Sequence, residues 1–296
     1  MTPSLDPCVR LALDPDLIVL RRPGGGVQLG WGPDTGVIVA PPSGMDTFDV
    51  YTVLRLLDGR HGRDAVAEAA TAGRGADRAA VCDLLDELVA IGAVKVASPA
   101  TESVDPAPPP RLRIYGNGPL TDALAANLTL WGTRLSRSSR YTDETEIAGA
   151  GVGYVLLTDA QVPDPRLVQD LMRHRVPHLV VRLRDGRGVV GPFVVPGRTS
   201  CLRCADLTRS DLDPSWPQLA VQLSNRVGRA ERSVVLATAA VALGELDAIL
   251  AGRASAPPTV IDRTVEVDLR TYRLSTRRWF RHPECACSTP RSTGQA

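Results

Sequence analysis

A chain of 296 residues, 44% hydrophobic and 23% charged, has apolar material for a buried core and length for two domains, which excludes a disordered or fibrous protein. The net charge of +1 hides a division: residues 1–98 hold 9 basic against 13 acidic side chains, and residues 111–296 hold 25 against 18. No window approaches eighteen consecutive apolar residues and MTPSLDPCVR lacks the order of a signal peptide, so the expected compartment is the cytoplasm, with reduced thiols and no membrane partner.

LIVLRR, GVQLGW and GVIVAP are three short β-rich runs, each closed by Gly or Pro, and predict a small antiparallel sheet. Three helical patterns follow. MDTFDVYTVLRLLDG has Phe48, Tyr51, Leu54 and Leu57 at helical spacing, with Asp46 or Thr47 as N-cap and Gly59 as its end. RDAVAEAATAG is the second helix. ADRAAVCDLLDELVAIG is the third, with Val81, Leu84, Leu85, Leu88 and Ile91 on one face and Gly92 at its C-terminus. AVKV then returns as a strand, and the whole outlines a winged-helix domain over residues 1–98. SPATESVDPAPPPR carries five prolines among small and polar residues, a stiff connector that cannot continue a helix, so residues 99–110 divide the chain.

Residues 111–296 alternate strand and helix. RLRIYGNG is a strand entering a glycine turn, TDALAANLTLWG a helix, TRLSRSSRY and GYVLLTD strands, DPRLVQDLMRHR a helix, and PHLVVRLRDGRGVVGPFVV two strands about an Asp-Gly turn. RSVVLATAAVALGELDAIL is a long apolar helix suited to a core or a dimer interface, and TVIDRTVEVDLRTYRLSTRRWF gives two late strands. This alternation predicts an α/β fold with a mainly parallel, Rossmann-like sheet.

Four cysteines form two short chelates: Cys201 and Cys204 in PGRTSCLRCADL, and Cys285 and Cys287 in HPECACS. Two such pairs suit one tetrahedral Zn²⁺, and a fourfold cysteine shell leaves no position for water, which makes the expected site structural. The alternatives are a thioredoxin-like redox pair, disfavoured because the motif precedes no suitable βαβ start and a second pair exists, and four unrelated cysteines. His282 sets the turn before the second pair or replaces one sulfur. Cys8 and Cys82 are lone, and Cys82 is a small packing residue within its helix.

GNGPLT resembles a dinucleotide fingerprint, since Gly116 and Gly118 follow a strand and open a helix. The match is damaged: Thr121 stands at the third glycine position, Pro119 removes a donor, no acid ends the next strand, and Asp159 after the third strand is the only surviving acid. In RSDLDPSWPQLAVQLSNR, Asp211 and Asp213 suggest either Mg²⁺ binding or, as expected here, helix capping before a packed Trp216. Lys95 is the one lysine in the chain, so residues 111–296 have no amine for Schiff-base or P-loop chemistry.

A strand running into GxG, the Cys-x-x-Cys of PGRTSCLRCADL and a terminal HPECAC together resemble ThiF-type, ubiquitin-activating-enzyme-like proteins, in particular those associated with azoline-forming ribosomal peptide natural products. That resemblance covers roughly residues 111–290. Residues 18–97 look like a PqqD-type peptide recognition element, from VQLGW to LLDELVAIGAV. The resemblance implies a leader peptide added as a strand at Val37, Ile38 and Val39, with Arg78, Val81, Cys82 and Leu85 forming a helical wall. It also implies a homodimer and a separate YcaO-type ATP-dependent cyclodehydratase as partner. The acidic ribose contact and lysine of adenylating relatives are missing here, so Gly116, Gly118 and Asp159 would form a vestigial nucleotide site in which ATP and Mg²⁺ are not expected, and the chain would be a scaffold without catalysis of its own. The alternatives are a ThiF-type adenylyltransferase and a DNA-binding winged helix; the acidic charge of residues 1–98 opposes a phosphate-driven interface, and nucleic acid is not an expected partner.

Overall fold

The computed structural model describes residues 9–97 except 33 and 75, and residues 111–288 except 131, 132, 149, 150, 225 and 252–256. The proline-rich connector and Cys8 lie outside them. By internal contacts the chain divides into two compact units, Met1–Pro106 and Ala107–Ala296.

In the front unit the strands are β1 (Arg10–Leu13), β2 (Val19–Arg21), β3 (Val27–Leu29) and β4 (Val37–Val39). Helix α1 (Thr47–Leu56), strand β5 (Asp58–Gly62), helices α2 (Arg63–Arg74) and α3 (Arg78–Ala90), and strand β6 (Val94–Ala97) follow. The predicted sheet forms as β2-β3-β4, all antiparallel. A second sheet, β5-β1-β6, was not anticipated. Its central strand RLAL looks too short, and DGRHG has no apolar or β-branched residue; backbone pairing of Arg10 with Gly62 and of Leu11 with Val96 makes strands of them.

Asp46 caps α1 as expected: its carboxylate accepts from the amides of Phe48 and Asp49, and the Asp49 side chain accepts from the Asp46 amide. The helix ends at Leu56 rather than at Gly59, which lies in β5 at φ 79°. Gly92, just beyond α3, adopts φ 74°, the left-handed conformation that closes helices. The apolar faces of all three helices meet Val27, Leu29 and Val39 of the β2-β3-β4 sheet in one buried cluster.

The back unit contains β7 (Arg111–Tyr115), α4 (Pro119–Leu130), β8 (Leu135–Ser138), α5 (Thr145–Ala148), β9 (Val152–Thr158), α6 (Pro165–Arg173), β10 (His178–Arg184) and β11 (Arg187–Val194). It continues through α7 (Leu202–Leu212), α8 (Trp216–Leu223), α9 (Arg232–Ala251), β12 (Arg263–Asp268) and β13 (Arg273–Arg278), then a 3-10 turn at Ala286–Ser288. One sheet holds all seven strands in the order β13-β12-β11-β10-β9-β7-β8. It is mixed, not mainly parallel: β8, β7, β9 and β10 run parallel, while β11, β12 and β13 are added antiparallel. The change of direction comes from the two-residue Asp185-Gly186 loop, with φ 51° and 75°, a turn whose twist brings the next strand straight back.

Both faces of the central strands β7, β9, β10 and β11 are covered, which is why these are apolar at successive positions, whereas β13 is exposed throughout. Leu112, Ile114, Leu156, Leu179 and Val181 face α4 and α9, whereas Tyr115, Val155, Leu157 and Val180 face α5 and α6. Helix α9 is long and apolar enough to cross a membrane by length and composition. Here it is a core helix, contributing Val234, Ala239, Ala242, Leu246 and Ile249 to the cluster against α4 and the sheet.

Candidate metal centre and the glycine loop

Cys201 is the N-cap of α7, yet its side chain makes no capping hydrogen bond, so the thiol is not spent on the helix. Cys204 lies one turn later on the buried side. The knuckle is fixed from several directions: the Ser200 amide donates to Asp262 Oδ1 at 2.6 Å, and the Val195 amide to Thr199 Oγ1 at 2.9 Å. The chain returns after β13 at Trp279, whose amide donates to the Asp262 carbonyl at 2.8 Å. His282 then shapes the second pair. Its Nδ1 accepts from the Glu284 amide at 3.2 Å, so the proton sits on Nε2, which donates to Asp211 Oδ2 at 2.8 Å. His282 therefore sets the turn and ties it to the end of α7, with Asp211 as its partner; Asp213 accepts from the Ser215 amide at 2.9 Å in the turn before α8, whose N-cap is Ser215, so neither aspartate side chain caps that helix as expected.

The four sulfurs of Cys201, Cys204, Cys285 and Cys287 all lie within 4.8 Å of one another. Cys201 stands 3.7 Å from Cys204 and 3.6 Å from Cys285, and Cys204 stands 3.2 Å from Cys287. Four sulfurs on a tetrahedral zinc, each about 2.3 Å from the ion, would be spaced by about 3.8 Å. Burial pushes the Cys201 thiol far above its ordinary range and Cys287 up to about 11. Burial acts upward on Cys204 as well, but hydrogen bonds from the backbone at His282 and Cys201 outweigh it. As four thiolates they would need a cation to offset their charge, and the cluster could hold a metal ion such as zinc.

Gly116 and Gly118 lie between β7 and α4 as the sequence suggested, but the groups around them are the protein's own. A Cβ on Gly116 would stand 2.0 Å from Thr158 Oγ1, and one on Gly118 would stand 2.7 Å from the Asp159 carboxyl carbon. Asp159 is buried at φ 67° and reaches back to the start of α4. Its Oδ1 accepts from the Leu120 amide and its Oδ2 from the Thr121 amide, both at 3.0 Å, and the Thr121 hydroxyl adds a third bond. The helix N-terminus, where a phosphate would be received, is thus engaged by an internal carboxylate. Nothing in the sequence signalled this, because the partners are 38 and 39 residues apart. Beside the loop an open cleft of ≈ 650 Å³ is lined by Asn117, Pro119, Arg226 and Arg229, among others.

In the front unit, β4 is an edge of its sheet. Val37 and Ile38 are 38% and 57% exposed, and Val39 is buried. On α3, Val81 and Leu85 have no exposed surface and share a core cluster with Val39, while Cys82 is half-buried and Arg78 is exposed and paired with Asp64 at 3.0 Å.

No protein-family profile matches the chain, and no curated protein does. Solved structures do. The heterocyclase TruD superposes with a TM-score of 0.57 at 18% identity, over 94% of this chain and 42% of TruD, so the chain spans less than half of that protein. The microcin C7 biosynthetic enzyme MccB in complex with N-formylated MccA superposes at 0.61 and 11% identity, covering 94% of this chain and 99% of MccB. E. coli MccB with ATP gives 0.60 at 12% identity, with 94% and 99% coverage. At these identities the likeness is one of fold: this chain has the fold that TruD and MccB share, carrying a cysteine cluster able to hold a metal ion such as zinc.

Proposed function

We propose that the protein is a leader-peptide-binding scaffold for a ribosomally made peptide natural product, presenting the precursor to a separate YcaO-type cyclodehydratase. The front unit acts as a PqqD-like winged-helix clamp that adds the leader as a strand along β4. The back unit is a zinc-fastened, catalytically inactive ThiF-type domain, working as a homodimer. The observation that carries this reading is Asp159: with its carboxylate on the first free amides of α4, a nucleotide phosphate has lost its usual seat. The lack of any lysine in residues 111–296 points the same way. Support for a peptide partner comes from MccB, which has been solved with MccA.

A second reading, an adenylyltransferase, is favoured by the match over nearly all of MccB, solved with ATP, and by the cleft holding Arg226 and Arg229. Two measurements separate them. In an antiparallel edge strand successive amides point alternately inward and outward, so Val37→Pro and Ile38→Pro differ: one removes a ladder donor, the other a donor facing the free edge. The scaffold predicts that the outward variant stays folded and loses at least about tenfold in affinity for the leader peptide by calorimetry. ATP–pyrophosphate exchange by the full chain with peptide present would instead establish the adenylyltransferase.

A further inference from the structure

The segment after β9 borders a second, smaller cavity in the back unit, lined by Val162, Arg182, Ala205, Arg209, Trp216 and Trp279, among others. Its cations are not alike. The Arg209 guanidinium lies 4.9 Å from the ring centres of both Trp216 and Trp279 and is paired with Asp206 at 2.9 Å. Trp216 Nε1 donates to the same Asp206 oxygen at 3.2 Å, and Trp279 Nε1 to Thr264 Oγ1 at 3.3 Å, so both rings are held in place. Arg184, on the same strand as Arg182, is neutralised by Glu266.

Arg182 has no such partner. One of its terminal nitrogens donates to the Gln161 carbonyl at 2.8 Å, its Nε is buried without a hydrogen bond, and among the described residues no carboxylate lies within ion-pair distance of it. Burial, aided by the charges of Arg209 and Arg184, lowers its pKa to about 10, yet at neutral pH the group remains a cation. Its charge is offset only at a distance, by Asp206 and Glu266, each of which is already paired with another arginine. Water in the cavity would meet the loose N–H but would not offset the charge. The cavity has ≈ 30 Å³ open to water-sized atoms, room for about two of them.

We propose that this cavity is a carboxylate subsite, which takes one carboxylate of a peptide: its two oxygens fill the space and accept hydrogen bonds from Arg182, between the walls made by Trp216 and Trp279. The subsite stands whether or not the front unit binds a leader, and it adds to that reading a contact for an acidic group. The carboxylate comes from a peptide C-terminus or from an acidic side chain, and the probes below tell these apart.

The test follows the indole N–H resonances of Trp216 and Trp279 in the full chain, assigned with Trp→Phe variants. N-acetylalanine supplies a C-terminal carboxylate, N-acetylaspartate α-amide a side-chain carboxylate, and N-acetylalanine amide neither. The expected result is a saturable shift of both indoles with at least one acid, none with the neutral amide, and affinity weakened at least about tenfold in Arg182→Gln. The acid that binds more tightly identifies the source. Should Arg182→Gln fail to fold, Val162→Phe, which fills the cavity and leaves the charges alone, must abolish the shift. The proposal is overturned if neither acid moves the indoles, if the neutral amide moves them equally, or if the folded variants respond as the unaltered chain does; the cavity then holds water only.

Discussion

Asp159 illustrates how one side chain can decide the character of a loop. A non-glycine residue at φ 67° is held in a costly conformation, and aspartate is among the residues that tolerate it best. The cost is offset by two backbone amides and a hydroxyl bonded to one buried carboxylate. Asp159→Ala should therefore lower the stability of the back unit by about 2–3 kcal/mol, and Asp159→Asn by less, as measured by denaturant unfolding. Equal stability of all three proteins would show that the contact contributes nothing. His178 offers a second test at this scale. Its ring is fully buried, Nδ1 donates to the Val176 carbonyl at 3.0 Å, Nε2 has no partner among the described residues, and burial lowers its pKa to about 4. Because the unfolded imidazole titrates near 6.5, its neutrality favours the fold fully above that pH. The contribution is lost as pH falls from 6.5 to 4, by about 3 kcal/mol at most. Proton resonances of this ring should show it neutral at pH 5.5; a midpoint near 6.5 would contradict its burial.

Helix α9 and strand β11 meet more closely than side chains ordinarily allow, and Gly188 makes the approach possible. A Cβ there would lie 1.8 Å from Thr238 Oγ1 and 2.8 Å from Thr238 Cβ. Gly188→Ala should push α9 off the sheet and cost about 3 kcal/mol or more, and Thr238→Ala in the same chain should recover part of it, since only the hydroxyl and methyl clashes are relieved. A Gly188→Ala protein that melts with the original would show that the two elements can separate freely. The same elements show what the sequence could and could not reveal. Strands β7, β9, β10 and β11 were legible because burial on both faces writes a continuous apolar run, and the Asp185-Gly186 turn because it needs two residues with positive φ. The antiparallel sense of β11 follows from that turn, but the pairing of β12 and β13 onto the same sheet was not legible, since apolarity carries neither direction nor partner. Strand β5 was hidden because its residues owe their conformation to β1. The two cysteine pairs could be read locally, but their convergence depends on hairpin β12-β13 bringing Cys285 back to Cys201, 84 residues away.

At the scale of the chain, the two units depend on different kinds of cohesion. The front unit gathers Leu11, Val27, Leu29, Val50, Val53, Leu84, Leu85 and Leu88 into one apolar cluster, and none of the four clustered cysteines belongs to it. In the back unit Cys201, Cys204 and Cys285 form, with Val194, a small core of their own, away from the main cluster between α4, α9 and the sheet. A metal held there would join the α7 knuckle to the chain after β13, beside Met172, Leu202 and Leu207, which pack on the same small core. Structural zinc contributes about 10 kcal/mol or more to small domains that depend on it. A strong chelator at neutral pH should accordingly raise amide hydrogen exchange around residues 199–212 and 279–287 first. It should then lower the melting transition of the back unit and leave exchange in residues 9–97 unchanged. Mass spectrometry of peptic fragments resolves these regions in a single experiment on the full chain. If the two units lose protection together, their stabilities are coupled and the metal is not a local fastener. If neither responds, the sulfurs hold no ion that matters to the fold.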